Sequence, residues 1–137
     1  MKNKKELKML VVDDDFFSRQ LLKEILKPYG DVDTVMNGDE TLMAFQAAHQ
    51  KRNPYDLICL DLLMPVMNGL ETLKRIRNLE EEKNIHGLDG VKVIIITGVD
   101  DNRSVFDTFN TGCEGYIRKP LDDENKLLKL MNDLGLI

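Results

Sequence analysis

The chain has 137 residues, 42% of them hydrophobic and 31% charged, a balance that fits one globular domain and excludes disordered and fibrous classes. A formal net charge of −5 removes the basic face on which nucleic-acid binding depends, so no direct nucleic-acid contact is expected. No run approaches the ~20 apolar residues of a membrane span, and MKNKKELKMLVV lacks the apolar core and cleavage site of a signal peptide, which predicts a cytoplasmic protein without membrane insertion.

The first predicted element is a strand over MLVV (9–12), ending on Asp13, Asp14 and Asp15. Phe17, Leu21, Leu22 and Ile25 then share one face of a helix that should stop near Pro28. VDTVM (32–36) is a weaker strand. Asn37 and Glu40 have capping-box spacing at the start of a helix whose inner side carries Leu42, Ala44, Phe45 and Ala48. The run DLICL (56–60) reads as a buried strand, yet it ends on Asp61 with no adjacent Lys or Arg. Leu62, Leu63, Met64 and Pro65 lead from there to Asn68-Gly69. Asn68 and Glu71 repeat the capping spacing ahead of Leu70, Leu73 and Ile76, with Met64 and Met67 expected to pack the connecting loop.

EEEKNIHGLDG (80–90) is expected to be a solvated helix end and an inert surface loop. VKVIII (91–96) is the fourth strand and leads to Thr97. A shorter helix with Val105, Phe106 and Phe109 follows Asp100–Asp101. GYIRK (115–119) is a weak fifth strand, and Leu127, Leu128, Met131 and Leu134 close the chain at helical spacing. Cys59 and Cys113 have no metal-ligand spacing and are expected to be buried, reduced thiols. His49 and His86 have no partner at ligand spacing.

Continuous, rather than alternating, apolar runs indicate strands covered on both faces, as in a parallel sheet. Right-handed crossovers then place helices on both sides. The prediction is one α/β domain over 1–137, five strands alternating with five helices, and no second domain. In such sheets sites form at the carboxyl ends of the strands. Asp13–Asp14, Asp61, Thr97 and Lys119–Pro120 all fall there. Capping explains any one of these aspartates, and is preferred for Asp15, but it does not explain the whole alignment.

Two carboxylates ~5 Å apart repel by roughly 3 kcal/mol at an effective dielectric of ~20, so such a cluster needs a cation. Lys119 supplies one charge, and a hard divalent ion such as Mg²⁺ suits oxygen donors that lack His or thiolate. A carboxylate beside Mg²⁺ and a lysine can act as a nucleophile toward phosphorus, with a hydroxyl such as that of Thr97 adding a hydrogen bond. Asp61, alone at its strand end, is the candidate nucleophile, and the pair Asp13 and Asp14 the candidate metal holders.

VVDDD, DLICLDLLMPVMNGLE, IIITG and GYIRKP together resemble the receiver domains of bacterial two-component response regulators, over essentially the whole chain. The resemblance implies a flavodoxin-like (βα)₅ sheet in the order 2-1-3-4-5. It implies Asp61 as phosphoacceptor, with Asp13, Asp14, Asp61 and the backbone carbonyl of Leu63 around Mg²⁺. Lys119 would contact the phosphoryl oxygens, Thr97 and Tyr116 would form the switch pair, and Lys119–Pro120 would be cis. Phosphate would come from a sensor histidine kinase or a phosphotransfer protein. Phosphorylation would alter contacts of the fourth helix, fifth strand and fifth helix with a downstream protein target, or pass phosphate on in a relay. The molecule would be a monomer or a phosphorylation-dependent dimer. It would catalyse only its own phosphorylation and dephosphorylation, and with Ile137 directly after the fifth helix no output domain is expected. Leu63 and Val99, both apolar, predict slow hydrolysis of the phosphoryl group.

Two other functions compete. Asp13-x-Asp15 faintly resembles the motif of haloacid-dehalogenase-type phosphatases, in which Asp13 and not Asp61 would be modified. A flavodoxin-like carrier would share the strand pattern, but DDDFF would repel a cofactor phosphate.

Overall fold

Every continuous apolar run becomes a parallel strand, because side chains on both of its faces find cover. In the computed structural model, which describes residues 6–137, β1 spans Leu7–Val12, β2 Gly30–Val35, β3 Leu57–Leu60, β4 Lys92–Thr97 and β5 Gly115–Arg118. Residues 1–5, at the start of the segment considered above as a signal peptide, lie outside the described residues. The helices are α1 Phe16–Leu26, α2 Gly38–Gln50, α3 Gly69–Glu82, α4 Asn102–Thr111 and α5 Glu124–Asp133. The sheet order is β2-β1-β3-β4-β5, with every pairing parallel, as expected.

Alternation along each strand divides the core into two layers. Leu10, Val12, Ile58, Leu60, Val93 and Ile95 face Phe45 and Ala48 of α2 and Leu73 and Ile76 of α3. Met9, Val11, Leu57, Cys59, Ile94 and Ile96 face Leu22, Ile25 and Leu26 of α1 and Leu127 and Met131 of α5. β1, β3 and β4 are buried on both sides, whereas β2 is an edge strand that leaves Asp31 and Asp33 in solvent.

Local signals set the helix starts. Side chains of Asp15, Asn37, Asn68, Asp101 and Asp123 each accept a backbone N–H from the first turn of the helix that follows. Glu40 reaches back to the N–H of Met36 at 2.8 Å, whereas Glu71 pairs with Arg75. α1 gives way at Lys27 to a 3₁₀ turn containing Pro28, as the proline requires.

Three expectations are corrected. Phe17 and Leu21 are 79% and 46% exposed, whereas Leu22 and Ile25 of the expected face are buried and Leu26 joins them. The inward face thus starts later than expected, because α1 packs through its second half. In α4 Phe106 and Phe109 are exposed and the buried residue is Thr108, whose hydroxyl is satisfied by the Ser104 carbonyl. Glu80 is not a solvated helix end. It is 4% exposed, paired with Arg77 and hydrogen-bonded to the N–H of Val91. Among the described residues no helix is long and apolar enough to cross a membrane.

Candidate functional site

Strand pairing continues one residue past the regular sheet and thereby positions the site. The N–H of Asp61 donates to the Val12 carbonyl at 3.0 Å, that of Asp13 to Val35 at 3.2 Å, and that of Lys119 to Thr97 at 2.7 Å. Three residues from three strand ends are in this way held by main-chain bonds in addition to the contacts among their side chains. They lie where the strand order reverses between β1 and β3, the usual place for a site in an open α/β sheet.

The Lys119 ammonium bridges two buried carboxylates, 2.7 Å from Asp13 Oδ2 and 3.0 Å from Asp61 Oδ2. The remaining oxygens accept backbone donors: Asp13 Oδ1 from the N–H of Asp15 at 2.9 Å, and Asp61 Oδ1 from that of Leu63 at 3.1 Å. Asp14 stands exposed beside them, and oxygens of Asp13, Asp14 and Asp61 all lie within 4.8 Å of one another. Burial pushes the Asp13 carboxyl above its ordinary pKa, outweighing the hydrogen bonds from Lys119 and Asp15. Burial also works against the charge on Lys119, but its bonds to Asp13 and Asp61 prevail and its pKa rises. One ammonium for three carboxylates leaves net negative charge, and the donors are hard oxygens. That combination fits a divalent cation such as Mg²⁺.

Thr97 is fully buried at the end of β4, and its Oγ1 lies 3.5 Å from the N–H of Val99. Tyr116 on β5 donates its hydroxyl to the Val99 carbonyl, and its ring lies 6.3 Å from that of Phe109. The two candidate switch residues therefore meet at one residue of the β4–α4 loop. The Leu63 side chain is 61% exposed. Met64 and Met67 are buried in the loop, and Lys119–Pro120 is cis. Asp15 caps α1. Arg19, which no motif marked, donates to the Asp13 carbonyl at 2.8 Å. Its position four residues after Asp15 on a helix is the one hint the sequence offers. The exposed rings of Phe16 and Phe17 form an apolar shoulder next to the site.

Residues 9–132 match the family model described as the response regulator receiver domain. Chemotaxis protein CheY-3 of Vibrio cholerae is 32% identical over 116 residues, covering 85% of this chain and 82% of that protein. The transcriptional regulatory protein CrdR of Helicobacter pylori is 32% identical over 130 residues, covering 92% of this chain and 55% of its own. This chain spans about half the length of several curated relatives of that second kind. Among solved structures, the chemotaxis response regulator CheY4 of Vibrio cholerae superposes with a TM-score of 0.78 at 27% identity, covering 95% of this chain and 99% of that one. The BeF₃-activated receiver domain of DrrB gives 0.76 at 25%, covering 95% and 97%. The chain belongs to the response regulator receiver domain family of two-component systems.

Proposed function

We propose that this chain is a phosphorylation switch in which Asp61 accepts a phosphoryl group and Asp13, Asp14, Asp61 and the Leu63 carbonyl hold Mg²⁺. The observation that supports it is the Lys119 bridge: one ammonium spans the buried metal-side carboxylate Asp13 and the acceptor Asp61. Bound Mg²⁺ would supply positive charge to the carboxylates and to phosphoryl oxygens.

The steps belong to the side chains. A carboxylate oxygen of Asp61 attacks the phosphorus of a phosphohistidine; the new O–P bond forms as the P–N bond breaks, and the imidazole leaves, taking a proton from solvent. Lys119, already at hydrogen-bond distance from Asp61, can transfer a bond to an incoming phosphoryl oxygen at little cost in reorganisation. The Thr97 hydroxyl turns toward that group, the Val99 loop follows, and Tyr116 loses its present acceptor. The face of α4, β5 and α5 then offers a partner a different surface.

The unit we propose is a single receiver over 1–137 that acts in the cytoplasm. Its phosphodonor is a histidine kinase or phosphotransfer protein approaching over the apolar shoulder of α1. Its output goes to a protein target or onward in a relay, and it turns over no external metabolite. The phosphatase alternative is disfavoured by Asp15, the second carboxylate its motif requires, being committed to Ser18 as a helix cap.

The test is to incubate the protein with acetyl phosphate, with and without chelator, and to locate the adduct by mass spectrometry. Metal-dependent modification at Asp61, abolished in Asp61→Asn, is expected. Labelling that persists in that variant and disappears in Asp13→Asn would overturn the reading.

A further inference from the structure

The two ends of α4 are held by unlike means. At its carboxyl end the side chain of Arg77 on α3, 20% exposed, reaches across to the α4–β5 turn. Its Nε and Nη2 both donate to the Gly112 carbonyl, at 3.0 and 2.7 Å. Nη1 meets Glu80 at 2.7 Å and Nη2 meets Glu114 at 3.0 Å. Each carboxylate is used twice, because Glu80 also accepts the N–H of Val91 and Glu114 that of Val93, both at 2.7 Å. One guanidinium thereby joins α3, the start of β4 and the residue at which α4 ends. Gly112 itself has a φ of 122°, which disfavours any side chain there, and a Cβ would lie 3.2 Å from Arg77 Nε.

Among the described residues the amino end of α4 has no buried charged anchor of this kind. It follows Thr97 through a short loop, which the Tyr116 hydroxyl holds by a neutral bond to the Val99 carbonyl and Arg118 by a solvent-exposed pair with Asp100 at 3.2 Å, of a kind that contributes little. Charge-assisted, partly buried bonds are stronger than neutral ones, so the carboxyl end is the firmer attachment. Between its ends α4 buries Thr108 and exposes Phe106 and Phe109, so little packing opposes movement of its middle.

We infer that Arg77 is a positioning residue for the switch: it pins the carboxyl end of α4 through Gly112, so that rearrangement at Thr97 and Tyr116 tilts the helix about that point and does not free it. This role rests on the phosphorylation proposed for Asp61. It makes Gly112 the fulcrum, Val99 the moving end, and Phe106 and Phe109 the residues carried through the arc.

Amide hydrogen exchange, read residue by residue with and without beryllofluoride and Mg²⁺, tests it. In the parent protein, addition is expected to change exchange at least fivefold within Gly98–Ser104 and less than twofold at Gly112, Cys113 and Glu114. In Arg77→Met the fivefold change should extend to those three residues. Glu114→Gln, which leaves Glu80 with its partner, should shift the pattern the same way to a smaller extent, and it decides the matter if Arg77→Met does not fold. The clamp is overturned if the parent responds equally at both ends of α4, or if Arg77→Met, or Glu114→Gln where that variant decides, keeps the parental pattern. No response anywhere in the parent would instead defeat the phosphorylation reading, and the clamp's role with it.

Discussion

Gly69 passes so close to Asp61 that a Cβ at residue 69 would stand 2.2 Å from the Asp61 carbonyl oxygen and 2.7 Å from the Leu62 Cα. Both obstacles are main chain, so neither can swing aside. The N–H of Gly69 meanwhile donates to the Leu62 carbonyl at 2.9 Å and closes the loop that presents Asp61. Gly69→Ala should therefore cost about 2 kcal/mol or more and displace the acceptor, since backbone strain of this kind belongs among the large mutational effects. Urea unfolding and the rate of acetyl phosphate labelling measure the two consequences; a variant equal to the parent in both would show that the loop can yield.

Lys119 separates two carboxylates that would otherwise face each other, with burial already opposing the charge on Asp13. Replacing it by methionine should destabilise the metal-free protein by about 1–3 kcal/mol, below the full cost of breaking a buried pair because Lys119 is 25% exposed. Millimolar Mg²⁺ should restore more stability to Lys119→Met than it adds to the parent, because the ion takes over the missing charge. Phosphoryl transfer should stay impaired in either case. Thermal unfolding with and without the ion checks the first claim, and a labelling time course the second.

Leu63 lies exposed beside the carboxylate whose oxygen its own N–H holds. An apolar side chain there cannot orient an attacking water. Leu63→Asn should accelerate loss of the phosphoryl group about tenfold, less than the roughly 10²–10⁴-fold of a side chain that itself transfers a proton, since an amide only orients the water. Dephosphorylation followed after removal of the donor gives the rate, and an unchanged or slower rate refutes the explanation.

The two thiols supply a pH prediction. Burial pushes Cys59 up to about 12 and Cys113 up to about 11, from a usual value of 9.0. Both should resist alkylation at pH 8 in the folded protein. A raised folded pKa favours the protonated form, so this contribution to stability is complete below pH 9.0 and is lost as pH rises through 11 to 12. Replacing Cys113 by alanine should flatten the alkaline arm of the stability curve by about 2–3 kcal/mol, compared between pH 8 and 11.

The strands were readable because β1, β3 and β4 are covered on both faces and carry mostly apolar side chains, with Lys8, Lys92 and Thr97 near their ends. β2 was faint for the opposite reason: at the edge of the sheet, Asp31 and Asp33 sit in water and break the run. Helix starts were readable from Asn37 and Asn68, since a cap is a contact between near neighbours. Helix faces were less so. Phe17 and Phe106 have the right spacing for burial, yet both are exposed, and spacing alone does not say where a neighbouring helix ends. Asp13, Asp61, Thr97 and Lys119 declared themselves because each closes a strand, and the sheet does the gathering. Of the Arg77 network only Glu80, three residues on along α3, was within reach of spacing; Gly112 and Glu114 lie 35 and 37 residues away, and those links depend on how α3 crosses the β4–β5 end of the sheet.

The phenol of Tyr116 has one further consequence. The chain contains no tryptophan and three tyrosines, so ultraviolet emission from a tyrosine is not drained to a brighter acceptor. Tyr116 is the tyrosine bonded to the loop behind Thr97. Any event that withdraws the Val99 carbonyl should alter its emission, which gives the native protein an intrinsic optical gauge of its own state.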